Sequence, residues 1–308
     1  MNNPKYSVIV PVYNSQHSLE ELTERLDNTF RSVSETYEVL FVDDRSTDES
    51  WHILKEIRKK HPGRVRLIRL ARNFGQHNAT LCGMRFAKGD FIITIDDDLQ
   101  SLPDDIPLLI REQETSDCDV VYGITSGRKS HNLIRNSGSL LVKKTSKRLR
   151  NTPGEGSSFR LIRKNITDKL AEHTSYFAFI DEMLLWHTDS VRFAEVRHLP
   201  RKHDQSGYSA AKLLKLVTNL IIFYTDAPLK ILSYGGFFAS FISFVMAVIF
   251  IIKKLFYNVP LGYTSLIVAI LFSTSIILFS LGIIGEYLSR IYKVQNRKPP
   301  YSIQTVLD

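Results

Sequence analysis

The first hundred residues alternate between short apolar runs and longer segments with helical patterning. Apolar runs of strand length lie at 6–12, 38–42, 65–70 and 91–95. Helical patterns lie between them, at 18–31, 47–60 and 78–87. Strands that alternate with helices predict a mostly parallel sheet covered on both faces by helices. In such an α/β fold, which is Rossmann-like, ligands bind at the carboxyl ends of the strands.

Two of the predicted helices carry a start signal. Ser18 is followed three residues later by Glu21, and Ser46 is followed in the same way by Glu49. This spacing is that of the capping box, in which the serine hydroxyl accepts a backbone N–H of the first helical turn. The sequence therefore predicts that helices begin at these two serines.

The last third of the chain has a different pattern, with two long segments free of charged residues. These segments are 231–252 and 261–285. Each is long enough to cross about 30 Å of hydrocarbon as a helix, and each is apolar all round rather than on one stripe. We expect a two-helix transmembrane hairpin over 229–286. Two buried helices of a soluble core are the alternative.

The segment just before this hairpin mixes lysines with leucine, isoleucine and valine. Lys212 and Lys215 lie among the apolar residues of 209–225. This composition suits a helix at the membrane interface, with its apolar face in lipid and its lysines at the headgroups. We therefore predict a juxtamembrane amphipathic helix over 209–228, between a catalytic domain at 1–208 and the hairpin, with a cytoplasmic tail at 287–308. An amphipathic helix that covers the sheet is the alternative.

Charge and cysteine content refine the location. The net charge is +8, and basic residues are concentrated on both sides of the predicted hairpin rather than in its connecting loop. The positive-inside rule then places both ends of the hairpin in the cytoplasm, at the inner membrane. We expect no N-terminal signal, and Cys82 and Cys118 remain reduced. Anionic lipid and phosphate partners fit this charge better than nucleic acid, for which the sequence has no binding motif.

The most specific chemistry lies where the run at 91–95 ends in three carboxylates. Because side chains alternate along an extended chain, Asp96, Asp98 and Gln100 can share one side while Asp97 faces the other. Two carboxylates and an amide oxygen form a hard-oxygen ligand set for Mg²⁺ or Mn²⁺ with positions left open for phosphate. An acidic junction between strand and loop, without a metal, is the alternative.

Three more polar loops follow predicted strands, and their residues would line a binding site together with the three carboxylates. They are 11–14, 43–46 and 72–77. Neither a glycine-rich dinucleotide turn nor a P-loop turn follows the first strand, which argues against a dinucleotide-dependent enzyme or a P-loop NTPase. Four polar loops at one edge of a parallel sheet predict a single binding site there.

Taken together, these segments resemble a known family. VIVPVYN at 8–14, VDDRSTD at 42–48, RNFG at 72–75 and DDDLQ at 96–100 occur in the order typical of glycosyltransferase family 2. With the C-terminal hairpin, the chain is similar to the polyprenyl-phosphate glycosyltransferases of that family. The resemblance implies a GT-A catalytic domain that binds a nucleotide-sugar. Ser15 and Arg45 depart from the family pattern, where Glu and Gly are usual.

The resemblance also implies roles for individual residues. The nucleotide would be bound by Pro11, Tyr13, Phe41, Asp43, Asp96 and Asp97. The metal would be bound by Asp96, Asp98 and Gln100. The acceptor phosphate would be bound by Arg128, Arg135 and Arg160. The catalytic set would be Asp97, Asp98, Arg128 and Arg201.

The function that the resemblance implies is an inverting, metal-dependent sugar transfer. The donor would be a UDP-sugar such as UDP-glucose, and the acceptor undecaprenyl phosphate or another polyprenyl phosphate at the cytoplasmic membrane face. The product would serve modification of a cell-envelope glycan, and the enzyme would be a homo-oligomer, dimer or tetramer. Transfer of an amino or deoxy sugar such as aminoarabinose, and a membrane-anchored nucleotide-sugar-binding scaffold without activity, are the alternatives.

Overall fold

The computed structural model divides the chain into two units. It describes residues 3–125, 157–172, 179–199, 262–295 and 299–308, together with single positions between 234 and 256. The first unit comprises Met1–Gln205 and Pro299–Asp308, and the second comprises Ser206–Lys298. The second unit is therefore inserted into the chain of the first, and both of its chain connections lead back to the same unit.

The described part of the first unit contains eight strands and six helices. In chain order they are β1 (Tyr6–Val12), α1 (Leu19–Val33), β2 (Tyr37–Asp43), α2 (Ser50–Lys60), β3 (Val65–Leu70), α3 (Gln76–Phe86), β4 (Phe91–Thr94), α4 (Ile106–Ser116), β5 (Val120–Thr125), β6 (Arg160–Arg163), α5 (Lys164–Ala171), α6 (Ile180–His187), β7 (Val191–Val196) and β8 (Ile303–Leu307). A 3₁₀ turn at Pro103–Asp105 precedes α4.

The strands form one sheet in the order β7-β5-β6-β4-β1-β2-β3-β8. Strands β4, β1, β2 and β3 run parallel, and this is the predicted mostly parallel α/β sheet. The bounds of β1 and β3 are those expected from the sequence, while β2 is one residue longer at each end and β4 ends one residue earlier. Strand β6 lies antiparallel between β4 and β5, and β8 lies antiparallel on β3.

Strand β1 shows why the centre of the sheet forms where it does. All seven of its residues are buried. Val8 and Val10 belong to the apolar cluster that includes Leu22 and Leu26 of α1, whereas Ile9 belongs to the opposite cluster, with residues of α3. A strand that is covered by helices on both faces needs a continuous apolar run rather than an alternating one, and this is what the sequence has.

The two capping boxes are not formed. Helix α1 begins after Ser18 as predicted, but the Ser18 hydroxyl makes no cap bond and donates instead to the carbonyl oxygens of Ser15 and Asp97. Helix α2 begins at Ser50 rather than near Thr47, so the start predicted from Ser46 was wrong. Both hydroxyls lie where another loop offers a partner, and these tertiary bonds take the place of the local ones.

Strand β8 was not predicted. It lies within 287–308, the range that the sequence analysis treated as a tail. Residues Pro299–Asp308 of that range belong to the first unit. The strand is five residues long, and its burial alternates along its length. A short alternating strand is the kind found at a sheet edge, and β8 forms the edge next to β3.

In the second unit, α7 (Tyr263–Gln295) is a single helix of 33 residues that covers most of the second predicted span. Within the residues that the structure describes, no helix qualifies as long and apolar enough to cross a membrane. The amphipathic helix predicted at 209–228 lies outside the described residues. The hairpin and the juxtamembrane helix therefore stay predictions.

The packing of Gly89 beside β1 gives a test of the fold. A Cβ at Gly89 would lie 2.6 Å from the Ser7 nitrogen and 2.7 Å from the Tyr6 carbonyl carbon, both backbone atoms. Gly63 has a φ of +76° but open space around it. We expect Gly63→Ala to cost about 1 kcal/mol through its left-handed backbone, and Gly89→Ala to cost about 2–4 kcal/mol through the clash. Thermal unfolding of the purified full-length protein measures both, and equal losses would contradict this packing.

Candidate active site

The loops that follow β1 and β2 are locked together by hydrogen bonds. The Asn14 backbone N–H donates to the Ser46 hydroxyl at 3.0 Å, and the Asn14 side-chain oxygen accepts from the Thr47 backbone N–H at 2.8 Å. The Ser15 backbone N–H donates to the Ser50 hydroxyl at 2.8 Å. The two loops therefore form one rigid rim at the carboxyl edge of the sheet.

Asp97 joins this rim to the loop after β4. Its carboxylate accepts hydrogen bonds from the Tyr13 backbone N–H at 3.1 Å and from the Ser15 hydroxyl. Burial raises the pKa of Asp97 to about 7, the bonds from Ser15 and Tyr13 oppose this, and the charges of Asp96 and Asp98 add to it. Ser15, which departs from the family pattern, is thus a direct partner of the predicted catalytic carboxylate.

Asp96 is held from two further loops. One carboxylate oxygen accepts from the Gln76 side chain, at the start of α3, and the other accepts from the Ser158 hydroxyl at 2.6 Å. Ser158 precedes β6, the antiparallel strand that pairs with β4. The orientation of Asp96 therefore depends on both sides of the sheet edge.

Asp98 and Gln100 occupy the turn that follows. Leu99 has a left-handed backbone with a φ of 57°, and the Asp98 carboxylate accepts from the Gln100 backbone N–H at 3.1 Å. The Gln100 carbonyl oxygen accepts from the Leu199 backbone N–H at 2.9 Å. In the described ranges, no group of three or more His, Cys, Asp and Glu side chains is arranged as a metal site. The predicted ligand set contains only two such side chains, Asp96 and Asp98, because its third member, Gln100, is an amide.

Four of the six residues expected to bind the nucleotide would hold its base and ribose, and three of these four are buried. Tyr13 is 48% exposed, whereas Pro11, Phe41 and Asp43 are buried. Tyr13 is therefore the member of this group that has surface to offer a ligand.

The oxygens of Asp43 already have protein neighbours. One accepts from the Ser46 backbone N–H at 2.9 Å, and the other lies 2.9 Å from Arg69 Nε as an ion pair whose N–H is not directed at the oxygen. Asp44, beside it, accepts from the backbone N–H groups of Phe74 and Gly75 at 2.7 and 2.8 Å. Burial raises the pKa of Asp44 to about 6. These two carboxylates fix the loops after β2 and β3.

Arg160, predicted to bind the acceptor phosphate, is buried and paired. Its guanidinium forms an ion pair with Asp181 at the start of α6 and donates to the Thr94 hydroxyl at 3.1 Å. Thr94 in turn donates to the Ser158 carbonyl oxygen, next to the hydroxyl that binds Asp96. Thr94 and Ser158 therefore link Arg160 to Asp96 through a chain of hydrogen bonds.

His77 lies near the same ion pair. Its ring packs edge-on against Phe179, with 4.8 Å between ring centroids. Burial lowers the pKa of His77 to about 4, the nearby Asp181 opposes this and the nearby Arg160 contributes to it. The imidazole is therefore neutral near pH 7.

The remaining predicted arginines cannot be placed. Arg128, Arg135 and Arg201 lie outside the described residues, and their roles stay predictions.

Comparison with protein families identifies the chain. Residues 7–171 match the model described as glycosyl transferase family 2, and residues 227–291 match the model described as the GtrB C-terminal hairpin. The chain belongs to glycosyl transferase family 2. The family resemblance read from the sequence is confirmed, and this family 2 member is a glycosyltransferase.

Relatives of this family 2 chain match it over nearly its whole length. It is 32% identical to the undecaprenyl-phosphate 4-deoxy-4-formamido-L-arabinose transferase of Proteus mirabilis (strain HI4320), over 98% of this chain and 94% of the relative. It is also 32% identical to a glycosyltransferase of Bacillus subtilis (strain 168), over 97% and 93%. The crystal structure of glucosyl-3-phosphoglycerate synthase from Mycobacterium tuberculosis shares the fold, with a TM-score of 0.50, 17% identity, and coverage of 71% of this chain and 78% of that chain.

Several residues that contact this family 2 site were given no individual role by the sequence analysis. Gln76, Ser158, Asp181 and Arg69 each contact a predicted site residue. Gln76 lies in the segment 72–77 that was expected at the site, and Asp181 opens a polar pair within the apolar stretch of α6. Ser158 and Arg69 are ordinary loop and strand residues whose partners are distant in sequence.

Asp97 gives a pH-dependent test of the site. Its folded pKa of about 7 lies above the ordinary value of about 3.9, so its contribution to stability is present at low pH and is lost as the pH rises through 7. We expect Asp97→Asn, in chelator, to match wild type near pH 4.5 but to unfold at a higher temperature at pH 8. At pH 8 the free energy of unfolding of the variant should exceed that of wild type by on the order of 1 kcal/mol, since the Asp97 side chain is only partly buried.

Asp189→Asn is the matched control, because it removes the same charge from an exposed position after α6. Thermal unfolding from pH 4.5 to pH 8 measures both variants. A lower unfolding temperature for Asp97→Asn at pH 8 would contradict the raised pKa.

Proposed function

We propose that this chain transfers a sugar from a nucleotide-sugar to a polyprenyl phosphate at a membrane surface. The observation that carries the proposal is the match to undecaprenyl-phosphate sugar transferases along 98% of the chain, including the segment that matches the GtrB hairpin. The cluster of carboxylates at the edge of the sheet supports the same conclusion, because transfer from a nucleotide-sugar needs a site for a diphosphate-bound cation.

The relatives favour one of the sugars left open by the sequence. Their names specify 4-deoxy-4-formamido-L-arabinose as the sugar that those proteins transfer. We propose a UDP-linked amino or formamido pentose of this kind as the donor, in preference to UDP-glucose. This is the alternative that the sequence analysis kept beside glucose.

The nucleotide would lie on the rim formed by the first two loops. The exposed ring of Tyr13 offers a face on which a base can stack. Pro11 and Phe41 would support that rim from below, and Asp43 would shape it through the Ser46 backbone. Direct contact between Asp43 and the base would require the Arg69 ion pair to open. Asp97 would line the nucleotide or the sugar.

Asp96, Asp98 and Gln100 would hold the divalent cation, Mg²⁺ or Mn²⁺. Three consecutive carboxylates concentrate negative charge here, and the raised pKa of Asp97 is a consequence of burial together with that charge. A cation would relieve it, so the donor set fits the group. When bound, it supplies Lewis-acid stabilisation to the departing diphosphate. The bonds from Gln76 and Ser158 pre-orient Asp96 for this task.

The acceptor explains why the site needs no strong general base. A phosphate monoester has a second pKa near 6, so its oxygen is largely dianionic at cytoplasmic pH and is already a nucleophile. Attack on the opposite face of the sugar from the leaving diphosphate inverts the anomeric configuration. Arginines are suited to hold the acceptor phosphate by bidentate contacts, and Arg128, Arg135 and Arg201 stay candidates.

Arg160 would act differently from the other arginines. Because its guanidinium is buried against Asp181 and Thr94, we propose that it supports the carboxylate side of the site. A direct contact with the acceptor phosphate would require that ion pair to open. A buried arginine that loses its carboxylate is costly, so this pair holds β4, β6 and α6 in a fixed arrangement.

The membrane part would be a two-span hairpin at the inner membrane, with the catalytic unit in the cytoplasm. The second unit begins and ends within the chain of the first, so any number of crossings between its ends must be even. The match of residues 227–291 to a hairpin model and the two uncharged segments support two crossings. The helix at 209–228 would lie at the headgroups on the cytoplasmic side.

A donor panel tests the function. Membranes that contain the protein are supplied with undecaprenyl phosphate and with UDP-, GDP- and dTDP-linked sugars, including a UDP-linked formamido pentose. We expect a lipid-linked sugar from UDP donors, and most from the amino or formamido pentose. Nucleotide-sugar hydrolysis without a lipid product would contradict the acceptor, and binding without turnover would favour the scaffold.

Asp98→Asn tests the metal site within that assay. The variant keeps the shape of the side chain but removes charge from a proposed ligand, so we expect transfer to fall by about 10²-fold or more. Asp189→Asn should leave the rate unchanged. Chelation with EDTA should abolish transfer by wild type, and Mg²⁺ or Mn²⁺ should restore it. Full activity in EDTA would show that the carboxylates do not act through a cation.

Reporter fusions test the topology. We expect a reporter placed after Asp308 to be active on the cytoplasmic side and one placed within 258–262 to be active on the other side, because one crossing, the second span, separates these positions. A result in which both reporters lie on the same side would mean that the hairpin does not span the membrane.

A further inference from the structure

Residues 299–308, here called the tail segment, return to the first unit after the whole of the second unit. Strand β8 of the tail segment pairs antiparallel with β3, in a register that places Arg69 opposite Thr305. The Ala71 backbone N–H extends the ladder by donating to the Ser302 carbonyl oxygen at 2.8 Å. The β3 strand leads into the Arg72–His77 loop, so the tail segment lies along the strand that delivers one of the four site loops.

The end of the tail segment is held by a buried side chain. The Arg66 guanidinium, which is 8% exposed, donates to the Asp308 carboxylate at 2.7 Å. The same guanidinium bonds to the Glu38 carboxylate at 3.2 Å and to the Phe86 carbonyl oxygen at 2.7 Å. Arg58, from α2, bonds to the Asp308 backbone oxygen. These contacts anchor the tail segment at the C-terminal end of β8.

The other end of β8 reaches the turn after β2. Arg45 lies in that turn with a left-handed φ of 64°, and its guanidinium donates to the Gln304 side-chain oxygen. A non-glycine residue adopts this conformation at a cost, and it persists where the surrounding structure fixes it. Arg45 therefore supplies the turn with a contact to the tail segment that a glycine could not make.

The same turn is part of the rim formed by the loops after β1 and β2, where the nucleotide of the donor is proposed to bind. Ser46, the next residue, accepts the Asn14 backbone N–H and donates its own backbone N–H to Asp43. Arg69, which pairs with Thr305 in the β-ladder, lies 2.9 Å from Asp43 and 5.1 Å from the Trp51 ring centroid. Two side chains next to the tail segment thus reach the turn from two directions.

We propose that the tail segment is a component of the donor nucleotide site, and that Arg45 and Gln304 are positioning residues through which it fixes the turn at 43–48. This inference rests on the proposed function, because it takes the rim to be where the nucleotide binds. It means that donor affinity depends on a segment that the chain reaches only after the second unit. Docking of the tail segment and binding of the nucleotide are then coupled, and each stabilises the other.

The test uses the full-length protein in detergent or lipid nanodiscs. UDP affinity is measured by calorimetry, and hydrogen exchange of the amides at 43–49 is measured without nucleotide. Arg45→Ala and Gln304→Ala should each weaken UDP binding about three- to tenfold, since the turn must then be ordered at the expense of binding. The double variant should be no weaker than either single one, because both remove the same contact.

Arg58→Ala is the matched control. It removes another arginine contact to the tail segment, but from the far end of β8 and without touching the turn. We expect its UDP affinity to stay within about twofold of wild type, because the backbone ladder and Arg66 keep the strand docked. A chain that lacks residues 299–308 should bind UDP at least about tenfold more weakly, and a synthetic 299–308 peptide should restore part of that affinity.

Turnover separates positioning from general stability. For Arg45→Ala and Gln304→Ala, the KM for the donor should rise while kcat stays within about twofold of wild type. Faster exchange at 43–49 in both variants supports the inference. Unchanged UDP affinity in the shortened chain, or a lower unfolding temperature with unchanged affinity and exchange in the two point variants, would overturn it.

The outcome for the proposed donor can be read separately. If wild type does not bind UDP while exchange at 43–49 rises in both point variants and in the shortened chain, the donor assignment fails but the hold of the tail segment on the turn stands. If wild type binds UDP and neither exchange nor affinity responds to the variants, the donor stands and this inference is wrong.

Discussion

Holding three consecutive carboxylates at one edge of a sheet is the constraint from which the rest of the site follows. Each carboxylate is satisfied by a different part of the chain: Asp96 by the first residue of α3 and the loop before β6, Asp97 by the loop after β1, and Asp98 by its own turn. Because negative charges this close repel, each needs donors that come from elsewhere in the fold. The hydrogen bonds that orient the three carboxylates therefore also hold the surrounding loops in place.

The parts of the fold that could be predicted are those with a local cause. Strand β1 is apolar at every position except Ser7 because it is covered on both faces, and this pattern was enough to predict its bounds. Strand β8 has no such signal, since its five residues alternate in burial and its partner strand lies more than two hundred residues earlier. Ser46 shows the same limit in the site: its spacing to Glu49 matches a helix cap, yet its hydroxyl accepts from Asn14.

Residue chemistry was easier to predict than residue partners. The types and spacing of the residues at 96–100 were enough to predict a ligand set, and that assignment stays a prediction. Nothing local to Asp43 or Arg160 indicates that each would be closed off by an ion pair, because Arg69 and Asp181 come from other elements. The Asp43–Arg69 pair lies at the rim formed by the loops after β1 and β2, and the Arg160–Asp181 pair is linked to Asp96 through Thr94 and Ser158. Buried charges keep such geometry fixed, because separating either pair leaves an uncompensated charge.

The chain path gives these local contacts a wider consequence. The second unit is inserted between Gln205 and Pro299, and the chain that follows it forms a strand of the same sheet whose edge carries the candidate site. Buried Arg66 fixes one end of that strand, while the exposed contact between Arg45 and Gln304 joins its other end to the turn after β2. An exposed contact is weak by itself, so its effect depends on the strand being docked already. The buried Arg66–Asp308 contact therefore keeps β8 docked on the sheet. The exposed Arg45–Gln304 contact connects the docked strand to the turn after β2.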